Sequence, residues 1–413
     1  MKNRRFSNAK VSLLVFATVV LVYAFISMTK NCFSSAMVYI VSEGLLTKFQ
    51  TGNITAVFYL VYAALQIVGG IATDKWHPEK FITVGLLGAA LSNLVIFLNQ
   101  NYAVMITVWA LNAAVQFAVW PAVFKIVSTM LAEQQRTNGL VIITFANPVG
   151  VVASYLIVVL VPHWKYNFLV SAVGLFACAL IWELVFRSSR KHLVETEVKA
   201  VATDRPAEEV SLKSLMLRSG LFLFLGIAFI RTAFDVGLKG LVPTMIQESY
   251  DTLSPSFATV LSMIILIAGA CGPVVAHMLH AHVFRNESHA MLALFLVCLP
   301  LISVTLLLGR VHYWFLVIAL AGFVLLMAAA GFFTTTQIST YFNKWGKGST
   351  VAGIFNCLAS LGIVAANSVF TGIADLTSWL GTAVVWVGLM ILILLLTVAL
   401  IPVWTKFIKK EFS

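Results

Sequence analysis

In FIRTAFDVGLKGLVPT, Phe229 to Thr244, an arginine, an aspartate and a lysine stand four residues apart inside an apolar run. Residues at that spacing turn by only about 40° from one to the next on an α-helix. Arg231, Asp235 and Lys239 therefore form one ladder, provided Gly237 does not interrupt it. One carboxylate neutralises one neighbour, not both, so the ladder keeps surplus positive charge. Lys30, in another apolar run, adds to the surplus if its helix faces the same cavity. Buried cations without matching carboxylates call for an anion. A second arrangement of the same residues binds nothing: Asp235 pairs with Arg231, and Lys239 reaches the outer surface. Amides able to grip oxyanions or hydroxyls enlarge the candidate lining. These are Gln66, Asn147, Gln337 and Asn356, with Asn31, Asn112, Gln116, Asn367, Tyr59 and Tyr62 as further members.

The elements that must position these groups are membrane spans. Of 413 residues, 60% are hydrophobic and only 10% charged, where a soluble domain carries about 25% charged residues. Runs near the length of about 20 residues that crosses a bilayer recur at 11–41, 54–73, 81–98, 103–131, 139–161, 166–186, 219–247, 257–283, 289–309, 312–341, 350–374 and 380–404. The reading is an all-α membrane protein of twelve transmembrane helices. Lysine and arginine cluster at the N-terminus, in alternate loops, in 187–218 and at the C-terminus, which places both termini in the cytoplasm. Lys48, Lys165 and Arg310 break the pattern. The net charge of +11 coats the cytoplasmic face against anionic lipid, and no nucleic acid is implied. The basic start leads into a run too long for a signal peptide, and is read as a retained first span.

Other chemistry is sparse. The five cysteines are dispersed in apolar segments without pairing or ligand spacing. His277, His280 and His282 lack a carboxylate or cysteine to complete a metal site, and are read as surface or gate residues. No metal, cofactor or enzymatic activity is expected. The absence of a G-x-x-x-x-G-K-[ST] motif argues against drive by ATP.

The polar stretch between spans six and seven divides the chain into an N-terminal six-helix bundle, 1–187, a central cytoplasmic loop, 188–218, and a C-terminal six-helix bundle, 219–413. Ala24-Phe25-Ile26 recurs as Ala228-Phe229-Ile230, in keeping with two pseudo-symmetric halves. GGIATDKWHPEKF, Gly69 to Phe81, resembles the G-x-x-x-D-[RK] signature of the major facilitator superfamily, with Gly70, Asp74 and Lys75 at the motif positions. The resemblance implies a major facilitator fold whose bundles rock about a central site, with Asp74 latching a gate.

Three further stretches resemble the organophosphate:phosphate antiporter family: TKNCFSSAMVYIVSEGL from Thr29, WPAVFK from Trp120, and GSTVAGIFNCLASLG from Gly348. That family exchanges phosphorylated small molecules for inorganic phosphate, and holds the phosphate with arginines in spans one and seven. The seventh-span arginine falls on Arg231, but the first-span arginine falls on Thr29. The family's first-span lysine falls on Lys30, and the resemblance implies a switchable pair with a seventh-span aspartate, which falls on Asp235 with a one-residue offset. A fifth-span histidine falls on Asn147, and a second-span lysine on Gln66. A dianion is gripped best by two arginine forks, and Thr29 removes one; a monoanion such as a carboxylate needs only Arg231 and hydrogen bonds.

The expected function is alternating-access transport of a small organic anion across the cytoplasmic membrane, by a monomer, as an antiporter against phosphate or a proton-coupled symporter. Efflux of drugs or hydrophobic compounds, and a sensor derived from a transporter, are the alternatives.

Overall fold

The computed structural model describes residues 3–196, 211–250, 252–284, 286–345 and 347–412. Among them, ten helices are long and apolar enough to cross a membrane. Two further helices, Lys48–Lys75 and Glu133–Leu160, run for 28 residues each. In chain order the twelve are α1 (Ala9–Ser42), α2 (Lys48–Lys75), α3 (Pro78–Leu98), α4 (Tyr102–Met130), α5 (Glu133–Leu160), α6 (Lys165–His192), α7 (Leu221–Ser249), α8 (Pro255–His280), α9 (Glu287–Leu307), α10 (Tyr313–Tyr341), α11 (Thr350–Leu376) and α12 (Trp379–Phe412). Helices dominate because a backbone in lipid must satisfy its own hydrogen bonds. Their starts follow ordinary rules: Asn8, Asn101 and Asn286 accept first-turn N–H bonds, and Pro78 and Pro255 occupy first-turn positions. A small ladder departs from the all-helical expectation. β1 (Asn3–Phe6) pairs antiparallel with β2 (Leu193–Thr196), Arg4 opposite Glu195.

The chain forms two compact units, 1–40 with 57–204 and 41–56 with 205–413. Helix α2 thus divides, its first turns belonging to the second unit. In the first unit, Val15, Val19, Val22 and Ile26 make the buried stripe of α1, packed with Ile82 and Leu86 of α3; Leu13 and Leu14 lie exposed. The stripe follows the three-and-four spacing of a helix face.

Both units repeat one set of pairings. α1 packs on α5 and α6, and α7 on α11 and α12; α3 packs on α4 and α6, and α9 on α10 and α12. Two close crossings also correspond. A Cβ on Gly150 would strike the Ala24 carbonyl of α1, and one on Gly362 the Phe229 carbonyl of α7. Small residues at such crossings let helix backbones approach where lipid supplies no hydrophobic drive. A polar knot adds to the first unit: Ser35 shares a 2.9 Å hydrogen bond with Ser154, and Asn167 Nδ2 donates to Ser35 Oγ at 3.0 Å.

Candidate functional site

In the second unit α7 is not a uniform α-helix. Ala233–Leu238 forms a π-helical turn containing Asp235 and Gly237, a distortion frequent at functional sites. The ladder nevertheless closes. Arg231 Nη1 donates to Asp235 Oδ2 at 3.0 Å, and Lys239 Nζ to Asp235 Oδ1 at 2.6 Å. The rest of the guanidinium faces inward: Nη2 donates to Thr232 Oγ1 at 2.8 Å, and Nη1 reaches the Met327 carbonyl of α10 at 3.4 Å. Its Nε is buried with no hydrogen-bond partner among the described residues. A Cβ on Gly331 of α10 would sit 2.7 Å from Nη1, so a glycine there gives the guanidinium its room.

The Arg231 side chain is only 6% exposed, that of Asp235 15% and that of Lys239 20%. The Asp235–Arg231 bond is the one the non-binding arrangement anticipates, but Lys239 shares the same carboxylate. Two cations on one carboxylate leave the stripe one positive charge in excess. Arg231 carries the deeply buried end of that stripe, and Asp235 and Lys239 the more accessible end.

In the first unit Lys30 meets one of the expected residues, Tyr62. Its Nζ stands 4.2 Å from the centroid of the Tyr62 ring, and no described carboxylate pairs with it. Gln66 lies near the Tyr62 hydroxyl, and Asn147 near that of Tyr23. Tyr23 also packs on Trp120, with ring centroids 4.7 Å apart. Lys30, Gln66, Tyr23 and Trp120 are half-buried and Asn147 is exposed, as suits a lining rather than a core. Thr29 is fully buried, its hydroxyl donating to the Ile26 carbonyl of its own helix at 3.0 Å. The position where the resembled family carries an arginine therefore offers no side chain to a ligand.

Other expected residues divide by burial. Gln337 is half-buried in a π-helical turn of α10, and Asn356 is exposed on α11. Asn112 and Gln116 are fully buried and bond each other at 2.6 Å, while Asn367 donates to the Ile363 carbonyl at 2.9 Å. These amides serve their own helices. Lys30 and Asp235 belong to different units, and their pairing stands as a proposal. Gly70, Asp74 and Lys75 lie outside the described side chains. Among the described residues no three His, Cys, Asp or Glu side chains gather where a metal ion could be held.

The sequence reading missed two groups. Tyr23 and Trp120 are one; Tyr23 precedes Lys30 by seven residues, two helical turns, and that spacing was the available signal. The other lies at the start of α2. Lys48 Nζ bridges Glu248 at 3.0 Å and Asp375 at 3.3 Å. Trp379 Nε1 donates to Glu248, and the Phe49 N–H to Asp375, each at 2.7 Å. Lys48 breaks the loop-charge pattern because two carboxylates hold it.

The Major Facilitator Superfamily model matches residues 19–367. The "Membrane sensor protein UhpC" of Salmonella typhimurium is 24% identical over 174 residues, 42% of this chain and 39% of the relative. A "Probable hexose phosphate transport protein" of Chlamydia trachomatis is 25% identical over 122 residues, 30% of this chain and 27% of the relative. The chain thus aligns with well under half the length of these curated relatives. In solved structures the same fold occurs in a bacterial homologue of the lysosomal transporter Spinster, with TM-score 0.72, 12% identity and coverage of 98% of this chain and 100% of the other. It occurs again in the nucleoside transporter NupG, with TM-score 0.69, 12% identity and coverage of 94% and 99%.

Proposed function

Starting from a chain that belongs to the Major Facilitator Superfamily, we propose a secondary active transporter that carries a small organic anion across the cytoplasmic membrane by alternating access, with both termini in the cytoplasm. The observation that carries this reading is the charge count away from the ends of α1 and α7: among the described residues these stretches hold three cations, Lys30, Arg231 and Lys239, against the single carboxylate of Asp235. An anion is the ligand that balances such a set.

Lys30 meets the anion first, since among the described residues it has an aromatic face and no carboxylate. Gln66 and Asn147 orient the ligand from the first unit, and Gln337 and Asn356 from the second. Arg231 binds as Asp235 turns away from it, and Asp235 is then free to exchange partners between Lys239 and Lys30. Occupancy in this way biases the exchange between states. Asp74, with Gly70 and Lys75, gates the cytoplasmic side. The buried Thr29 leaves one guanidinium rather than two, which favours a singly charged group such as a sugar acid carboxylate over a tightly clamped phosphate dianion.

A proteoliposome uptake screen tests the reading, with labelled hexose phosphates, sugar acids and dicarboxylates presented against internal phosphate or a pH gradient. Accumulation of one anion class, dependent on one of the two gradients, is expected. Uptake of none of them, alongside extrusion of hydrophobic cations, defeats the proposal. A second reading, a sensor that binds without translocating, draws on the relative named as a membrane sensor. It is distinguished by saturable anion binding with no uptake under any gradient.

A further inference from the structure

The last helix carries a second surface that seeks negative charge. Positions 391, 395, 398, 402, 406 and 409 of α12 recur every three or four residues and so share one face. Ile391, Leu395 and Val398 are exposed and apolar. Two turns further on the face becomes basic, with Lys406 and Lys409 exposed and Lys410 beside them. Where the character changes, a cavity of about 610 Å³ is lined by Ile401, Pro402, the three lysines and His289 of α9.

The nearby carboxylates are engaged elsewhere. Glu411 is held by Lys344, with Nζ 3.2 Å from its carboxylate and 2.6 Å from its main-chain oxygen. Glu287, two residues before His289, is buried and accepts from Tyr341 Oη at 2.6 Å and Trp404 Nε1 at 3.2 Å. Among the described residues none of the three lysines has a carboxylate partner.

We propose that this cavity holds the headgroup of an anionic phospholipid. Its phosphate lies among Lys406, Lys409 and Lys410, and one acyl chain follows Val398, Leu395 and Ile391 down the helix. A soluble phosphate would use only the basic half of the surface. A lipid uses both halves, and the apolar half continues the lipid-facing side of α12.

Native mass spectrometry of the full chain, released from nanodiscs of equal phosphatidylglycerol and phosphatidylcholine, reads the preference directly. The wild type should retain phosphatidylglycerol. Changing all three residues, K406Q/K409Q/K410Q, should lower that preference by about tenfold, within the range three lysines near an anionic surface can supply. K406R/K409R/K410R should keep it. K10Q/K191Q/K213Q, which removes three cations elsewhere, should leave it unchanged. The proposal is overturned if the glutamine variant retains the lipid as the wild type does, or if the distant variant loses it equally. Should the glutamine variant fail to insert, the wild type still decides: its preference must collapse between about 0.1 M and about 1 M salt. Displacement of the lipid by glycerol phosphate would mark a soluble-anion site instead, and would also overturn it.

Discussion

Lys30 and Arg231 are cations of long apolar helices in the two units, yet their surroundings differ in kind. Lys30 has the face of Tyr62 and no described carboxylate; Arg231 has Asp235, a carbonyl and a hydroxyl, and its neighbour Lys239 pulls on the same aspartate. A cation over an aromatic ring gains on the order of 0.5–2 kcal/mol. A buried ion pair that loses one partner costs about 3–5 kcal/mol. The first unit therefore leaves its charge without a counter-ion among the described residues. The second ties its charge into a structural knot.

The largest effect expected of this contrast is at Asp235. Asp235→Asn leaves the buried Arg231 without its counter-charge and should lower stability by about 3 kcal/mol, read as a fall in Tm of the purified protein. Adding Arg231→Gln should recover most of the loss while transport stays absent. A double variant no more stable than the single one would mean that the ion pair does not hold the fold.

Next in size is Lys30→Gln. It breaks no ion pair among the described residues, so Tm should move little, while kcat/KM for the transported anion should fall by at least about tenfold, the loss of one charge-assisted contact of roughly 1.4 kcal/mol. A matching fall in Tm with unchanged uptake would reverse the contrast and make Lys30 the structural cation.

The smallest effect is at Lys48. Its ion pairs with Glu248 and Asp375 are partly exposed, so Lys48→Gln should cost about 1 kcal/mol or less. Anion binding at equilibrium should be unaffected. A loss as large as that at Asp235 would show that this outer cluster, not the α7 knot, anchors the second unit.

Much of the fold could be read from residue types. Long apolar runs, Asn and Pro at helix starts, and the charged ladder in α7 follow from local rules that act within one or two turns. The site was less legible. Asn112, Gln116 and Lys30 all read as polar residues in apolar spans, yet the two amides bond each other in a packed interior while Lys30 meets an aromatic ring from α2. Tyr23 and Trp120 were passed over because aromatic residues in a span are ordinary core material until a neighbour shows otherwise.

By itself the sequence determined the membrane environment, the helical spans, the excess of embedded cations over carboxylates and the superfamily signature, since composition and spacing along one helix suffice for each. Only the tertiary structure decided which charges are engaged. It tied Asp235 to both of its helix neighbours, buried Thr29, seated Lys30 on Tyr62 and joined Lys48 to Glu248 and Asp375. Most of these partners come from other helices or depend on a π-helical turn, and neither is fixed by the spacing of residues along the chain.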